Sequence, residues 1–122
     1  MPLPARDDEL QLLHNPRCSK SRAAKELLES RGVAFAVRLY LEEPLSRAEL
    51  DDLEGRLGRP PGEWVRTKDE AFRVSGLSPA SEPGAIKDAI ARAPALLERP
   101  ILVRGRRAVV GRPTEDLLAL LP

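Results

Sequence analysis

Between residues 10 and 40 the hydrophobic period changes twice, and few folds accommodate that order. Leu10 to Leu13 is a short apolar run that stops at His14-Asn15-Pro16, which reads as a buried strand closed by a turn. From Ser19 the period becomes helical. Ala23, Ala24, Leu27 and Leu28 share one face, Lys20, Lys25, Glu26 and Glu29 stay largely off it, and Gly32 supplies a left-handed stop. Phe35, Val37 and Leu39 then alternate with Ala36, Arg38 and Tyr40, the period of a strand with unlike faces. Strand, helix and strand in such quick succession form a βαβ unit, so the two strands are expected to run parallel.

Ser46 with Glu49 three residues later is a capping box, opening a helix that carries Leu50, Leu53 and Leu57 and ends near Gly58. After the Arg59-Pro60-Pro61-Gly62 break, Glu63 to Arg66, Asp69 to Val74 and Glu82 to Arg92 read as three further helical pieces. Alternation returns at Ile101 to Val103 and Ala108 to Val110. The connecting Arg104-Gly105-Arg106-Arg107 marks an antiparallel hairpin. Pro113 suits a first helical turn, with Leu117, Leu118 and Leu121 expected on a core. The expected architecture is α/β, a mixed four-stranded sheet flanked by helices. With no repeat and no Gly/Ser linker, residues 10–122 are expected to form a single domain behind a tail of residues 1–9.

Composition removes several alternatives. A chain of 122 residues buries roughly two thirds of its unfolded surface, so its core needs no staples. One cysteine excludes an internal disulfide and a multi-cysteine zinc site, and points to a reducing, cytoplasmic setting. MPLPARDDE has no apolar run, so neither a secretory signal nor a membrane span is expected. A formal charge of +1 argues against bulk binding to nucleic acid or to an anionic membrane. Of the 20 basic residues 16 are arginine, the side chain that grips oxyanions with a planar fork.

Within His14-Asn15-Pro16-Arg17-Cys18-Ser19-Lys20-Ser21-Arg22 the only thiol falls between the first strand and the first helix. A helix N-terminus presents free N–H groups and the positive end of the dipole, both of which favour thiolate. A lone cysteine is often just a small buried hydrophobe. Its position after a strand, among Arg17, Lys20 and Arg22, favours a nucleophile instead. His14 is a candidate thiolate partner or proton handler, although a single histidine at a strand end is more often a satisfied structural group. With Ser21 rather than a second cysteine nearby, an oxidised or substituted sulfur must be resolved by a thiol from another molecule.

The string HNPRCSKSR, the turn Tyr40-Leu41-Glu42-Glu43-Pro44, the pair Arg99-Pro100 before Ile101, and Gly111-Arg112-Pro113-Thr114-Glu115 together resemble the glutaredoxin-coupled arsenate reductases. The resemblance runs in order from about Leu10 to Pro122. It implies a thioredoxin-like fold with a helical insertion between the second and third strands, and a cis Arg99-Pro100 bond. By the same resemblance Cys18 attacks arsenate while Arg66, Arg99 and Arg112 hold the oxyanion. Glutathione as co-substrate and glutaredoxin then complete the reduction to arsenite, with electrons drawn from NADPH. No bound cofactor and no metal are implied, and the chain is expected to act as a cytoplasmic monomer.

The arginines differ in how far the residues alone support them. Arg99 and Arg112 each precede a proline and adjoin a strand, which fixes their backbones. Arg66 lies in a polar segment where a solvated cation is the ordinary reading. Arg104, Arg106 and Arg107 read as solvated charges of a hairpin turn. Two other functions share this fold. A transcriptional regulator that binds RNA polymerase uses a Cys-X-X-Cys switch, against which Ser21 argues. Monothiol glutaredoxin-like exchange suits Cys-X-X-Ser, whereas the three arginines favour an oxyanion.

Overall fold

The computed structural model describes residues 1–122, which divide into two compact units. Met1–Glu43 and Arg99–Pro122 make the first. It holds β1 (Leu10–His14), α1 (Ser19–Ser30), β2 (Ala36–Leu39), β3 (Ile101–Arg104) and β4 (Arg107–Val110). The sheet order is β2-β1-β3-β4. As the βαβ pattern requires, β1 and β2 are parallel, with Leu12 opposite Val37. β3 lies antiparallel on the other side of β1, Leu12 opposite Leu102, and β4 closes the hairpin with Val103 opposite Ala108.

Every residue of β1 is buried, Gln11 and His14 included, as in a central strand. Leu10, Leu12 and Leu102 pack with Ala24 and Leu28 of α1 and with Leu117 and Leu120 near the C-terminus. Each such leucine contributes about 1.5–3 kcal/mol by leaving water. Gly32 and Gly58 adopt the left-handed conformation, each at φ 66°, where their helices stop.

Several elements depart from their sequence patterns. In α1 the buried positions are Ser21, Ala24 and Leu28, whereas Ala23 is exposed and Leu27 half-buried. The core stripe is therefore rotated toward the serine. On β2 the half-buried face carries Val37 and Leu39, and Arg38 on the other face is the buried residue. Its guanidinium is satisfied by the carbonyls of Glu43 at 3.0 Å and Met1 at 2.9 Å, and lies 3.8 Å from the Glu43 carboxylate. The amino-terminal residues, expected as a tail, include buried Leu3 and Pro4, and Gln11 donates to the Pro2 carbonyl at 2.9 Å.

The closing segment is a 3-10 helix, Thr114–Leu120, which Pro113 precedes as its cap instead of entering its first turn. Three residues per turn put Leu117 and Leu120 on one face, so these two are buried while Leu118 and Leu121 are half-buried. The expected trio of Leu117, Leu118 and Leu121 assumed the α-helical period.

Pro44–Glu98 is the second unit, a helical insertion between β2 and β3. It contains α2 (Arg47–Leu57), α3 (Glu70–Ser75) and α4 (Pro83–Arg92). The capping box is present in full: Ser46 accepts from the Glu49 N–H at 3.1 Å, and the Glu49 side chain accepts from the Ser46 N–H at 3.1 Å. Leu50 and Leu53 are buried and Leu57 half-buried. The helix expected over Glu63 to Arg66 is absent. A single 3-10 turn spans Pro61–Glu63, after which Val65 bridges Leu97 in antiparallel fashion. Val65 favours extended backbone, and Arg66 N–H to Leu96 O at 2.7 Å and Glu98 N–H to Trp64 O at 2.9 Å replace the helical bonds. No helix is long and apolar enough to cross a membrane.

Candidate active site

The segment after β1 folds into a tight turn because its own polar groups close it. Cys18 N–H donates to the Asn15 carbonyl at 3.0 Å, and Arg17 N–H donates to Asn15 Oδ1 at 3.0 Å. Pro16 lacks an N–H, and its carbonyl accepts from Arg22 Nη1 at 2.9 Å. The turn delivers Cys18 to the N-cap of α1 in extended conformation, where its carbonyl accepts the first helical bond from Arg22 at 2.9 Å.

At an N-cap a serine or aspartate would accept from the second and third helical N–H groups. Here sulfur occupies that place without a capping hydrogen bond of good geometry. It still lies in the field of those groups. Partial burial pushes the Cys18 thiol up, but the Ser21 N–H, the Arg99 guanidinium and the Lys20 N–H together outweigh it. The net result is a thiol held below its ordinary value.

Arg99 reaches the sulfur because β3 runs antiparallel beside β1, with Ile101 opposite Leu13, so the residues just before β3 flank the end of β1. The Arg99-Pro100 bond is cis, as the resemblance implied, and so is Arg112-Pro113. Arg112 is drawn to the same place by the β3–β4 hairpin. Gly111 N–H donates to the Pro100 carbonyl at 2.8 Å, and Arg112 Nε donates to the Arg99 carbonyl at 2.9 Å. A side chain at position 111 would not fit, since a Cβ there would stand 2.8 Å from Leu117 and 3.0 Å from Pro100. Cys18, Arg99 and Arg112, far apart in sequence, thus belong to one assembly. Arg66 lies in the other unit, where its guanidinium pairs with Asp69 at 3.2 Å.

His14 ends β1 and is 4% exposed. Its Nδ1 sits 2.7 Å from Ser21 Oγ, and the same oxygen accepts from the Asn15 N–H at 3.0 Å. Burial first, then the charges of Lys25 and Arg22, lowers the histidine pKa, so the ring is neutral near pH 7. Ser21 is fully buried and ties strand, turn and helix together. The sequence pattern undervalued it as a mere replacement for cysteine. Its signal was available: Ser21 falls on the stripe of Ala24 and Leu28, and a polar group on a buried stripe requires a partner. Asn15 and Arg22 were likewise unassigned, and both fasten the turn.

The arrangement is a thiol held below its ordinary pKa beside the Arg99 guanidinium, with Arg112 tied to the Arg99 backbone. A sequence model described as the ArsC family matches residues 13–120. An arsenate reductase of Neisseria meningitidis serogroup A is 46% identical over 115 residues, covering 93% of this chain and 98% of the relative. YfgD of Escherichia coli K12, an uncharacterized protein, is 39% identical over 115 residues, covering 93% and 97%. Among solved structures, an arsenate reductase from Vibrio cholerae superposes with a TM-score of 0.87 at 38% identity, covering 93% of this chain and 98% of that one. Fold and sequence agree along nearly the whole length, and the chain belongs to the ArsC family.

Proposed function

We propose that this chain is an arsenate reductase, with Cys18 as nucleophile and glutathione and glutaredoxin as external reductants. The observation that carries the reading is the pairing of the Cys18 sulfur with the Arg99 guanidinium, beside an Arg112 tied to the Arg99 backbone. Arsenate carries between one and two negative charges at neutral pH. Guanidinium groups offset that charge and screen its repulsion from a thiolate. Arg66 is proposed as the third arginine on the oxyanion, on the strength of its motif.

In the first step the Cys18 thiolate bonds to arsenic and an arsenate oxygen leaves as water after taking two protons. Arsenic remains arsenic(V). Glutathione attacks that adduct, and glutaredoxin reduces the mixed species. Across the cycle two thiols become one disulfide while arsenic(V) becomes arsenic(III), released as arsenite. Splitting the reduction into displacements replaces one difficult step by easier ones. His14 is proposed as a positioning residue, since its Nδ1 is held by Ser21. A reducing, cytoplasmic setting and a monomeric enzyme complete the proposal.

With glutathione, glutaredoxin and an NADPH-regenerated disulfide reductase, NADPH is expected to be consumed only when arsenate is added, and Cys18→Ser abolishes that consumption. Turnover that proceeds equally without arsenate, on a mixed disulfide substrate, refutes the arsenate reading in favour of thiol exchange. For Arg66, the Arg66→Gln variant should raise the arsenate KM with folding intact; an unchanged KM removes it from the oxyanion set.

A further inference from the structure

Arg66 is anchored at both ends. Its N–H donates to the Leu96 carbonyl at 2.7 Å, and its own carbonyl accepts from the Asp69 N–H at 3.1 Å. The two residues before it are buried and tied: Trp64 Nε1 donates to the Arg59 carbonyl at 3.0 Å, and Val65 bridges Leu97. At the far end of the side chain, Nη1 donates to Asp69 Oδ2 at 3.2 Å. A guanidinium carries five N–H donors. The other four make no hydrogen bond within the protein, although the side chain is 30% exposed and has a fixed root.

Asp69 is the stiffer member of the pair. Its Oδ1 accepts from the Ala71 N–H at 2.9 Å as the N-cap of α3, and its carbonyl accepts from the N–H groups of Phe72 and Arg73, both at 3.1 Å. One carboxylate oxygen therefore serves the helix and the other serves the arginine. A carboxylate clamped by its own helix is a fixed point. A long side chain tied to a fixed point has given up much of its rotamer freedom before any ligand arrives, and that cost is then not charged to binding.

We propose that Asp69 is a positioning residue, which holds the Arg66 guanidinium in one orientation with four donors left for an oxyanion. The proposal rests on the reading above that places Arg66 in the oxyanion set, and names what keeps that side chain ready. The carboxylate also offsets part of the Arg66 charge, so removing it loosens the fork and strengthens its field at once. Orientation outweighs attraction here, which fixes the sign of the test: an uncharged residue at position 69 weakens oxyanion binding.

Asp69→Asn separates the two duties. Asparagine caps a helix about as well as aspartate, through its amide oxygen. With that oxygen on the Ala71 N–H, the amide NH2 falls where Arg66 needs an acceptor, so the cap stays and the tie is lost. Helix content by circular dichroism should not change.

The 15N relaxation order parameter of Arg66 Nε, rigid in the wild-type chain, should fall in Asp69→Asn. Arsenate titrated calorimetrically into the full chain, without a reducing thiol, should bind about two- to fivefold more weakly, the range of a partly exposed ion pair. In turnover the loss should fall on the arsenate KM and leave kcat in place. Made in the Arg66→Gln background, the same substitution should change affinity by less than about twofold, because nothing remains to position. Glu63→Gln removes a carboxylate that pairs with Arg59 at 3.1 Å, controls for net charge, and should leave affinity unchanged. An Arg66 Nε as mobile in wild type as in Asp69→Asn, an affinity that is unchanged or tightened, or an equal loss in the Arg66→Gln background overturns the proposal. If Arg66→Gln weakens arsenate binding and Asp69→Asn does not, only the positioning role fails. If Arg66→Gln itself leaves the affinity unchanged, the reading of Arg66 fails and the proposal falls with it.

Discussion

Ser21→Ala removes one oxygen from a position that water does not reach. That oxygen accepts from the Asn15 N–H at 3.0 Å and bonds His14 Nδ1 at 2.7 Å, so its loss orphans a buried ring nitrogen and a part-buried N–H at once. Each orphan costs about 1–3 kcal/mol, and the alanine methyl recovers little, so a loss of roughly 2–4 kcal/mol is expected. At about 0.26 kcal/mol/K of unfolding entropy for 122 residues, this corresponds to a fall in Tm of about 8–16 °C. Urea titration with an unchanged m-value separates this loss from a change in the denatured state. The decisive form is a cycle with His14→Leu. In the double variant the imidazole is gone and only the Asn15 N–H is orphaned, so its destabilisation must fall short of the sum of the singles by about 1–2 kcal/mol. Additivity within about 0.5 kcal/mol would refute the hydroxyl–imidazole bond as the tie between β1 and α1.

Three further outcomes are expected. His14 has its folded pKa lowered by burial and by Lys25 and Arg22, so on acidification the unfolded chain binds a proton before the folded one. Stability should be flat above pH 7, fall as pH drops through 6.5, and lose that slope in His14→Leu. Arg99→Gln takes away a group that lowers the Cys18 pKa, so the alkylation midpoint by iodoacetamide should rise toward the free-thiol value; an unmoved midpoint contradicts the pairing. Gly111→Ala places a methyl against Leu117 and Pro100 and should cost about 1–3 kcal/mol in chemical denaturation, which wild-type stability would contradict.

The sheet and its connections were legible because strong local signals fixed them: the β1–α1–β2 period changes, the Ser46–Glu49 box and the hairpin. What escaped depended on the third dimension. The 3-10 period of Thr114–Leu120 selects Leu117 and Leu120, and one leucine-rich string serves either helix type. Trp64 and Val65 leave the helix because Leu97 supplies a bridge partner thirty-two positions on, which no local window contains. At the site, Cys18 stood out by its position after a strand, whereas Arg99 and Arg112 came from the resemblance, with their prolines and strands in support. Ser21, Asn15 and Arg22 emerged by neither route, since their role is to hold one another, and such roles show only when partners are seen.

Arg38 has a consequence beyond its own hydrogen bonds. β2 is an edge of the sheet, and an edge strand offers unpaired backbone groups to any other chain. A guanidinium that must stay satisfied by Met1 and Glu43 makes stacking a foreign strand there expensive, since the newcomer would displace those carbonyls and strand a buried charge. Arg107 and the neighbouring turn put cations at the opposite edge, β4. Charges at both rims therefore work against edge-to-edge pairing of copies, and Arg38→Leu would remove one of them in exchange for a more hydrophobic interior.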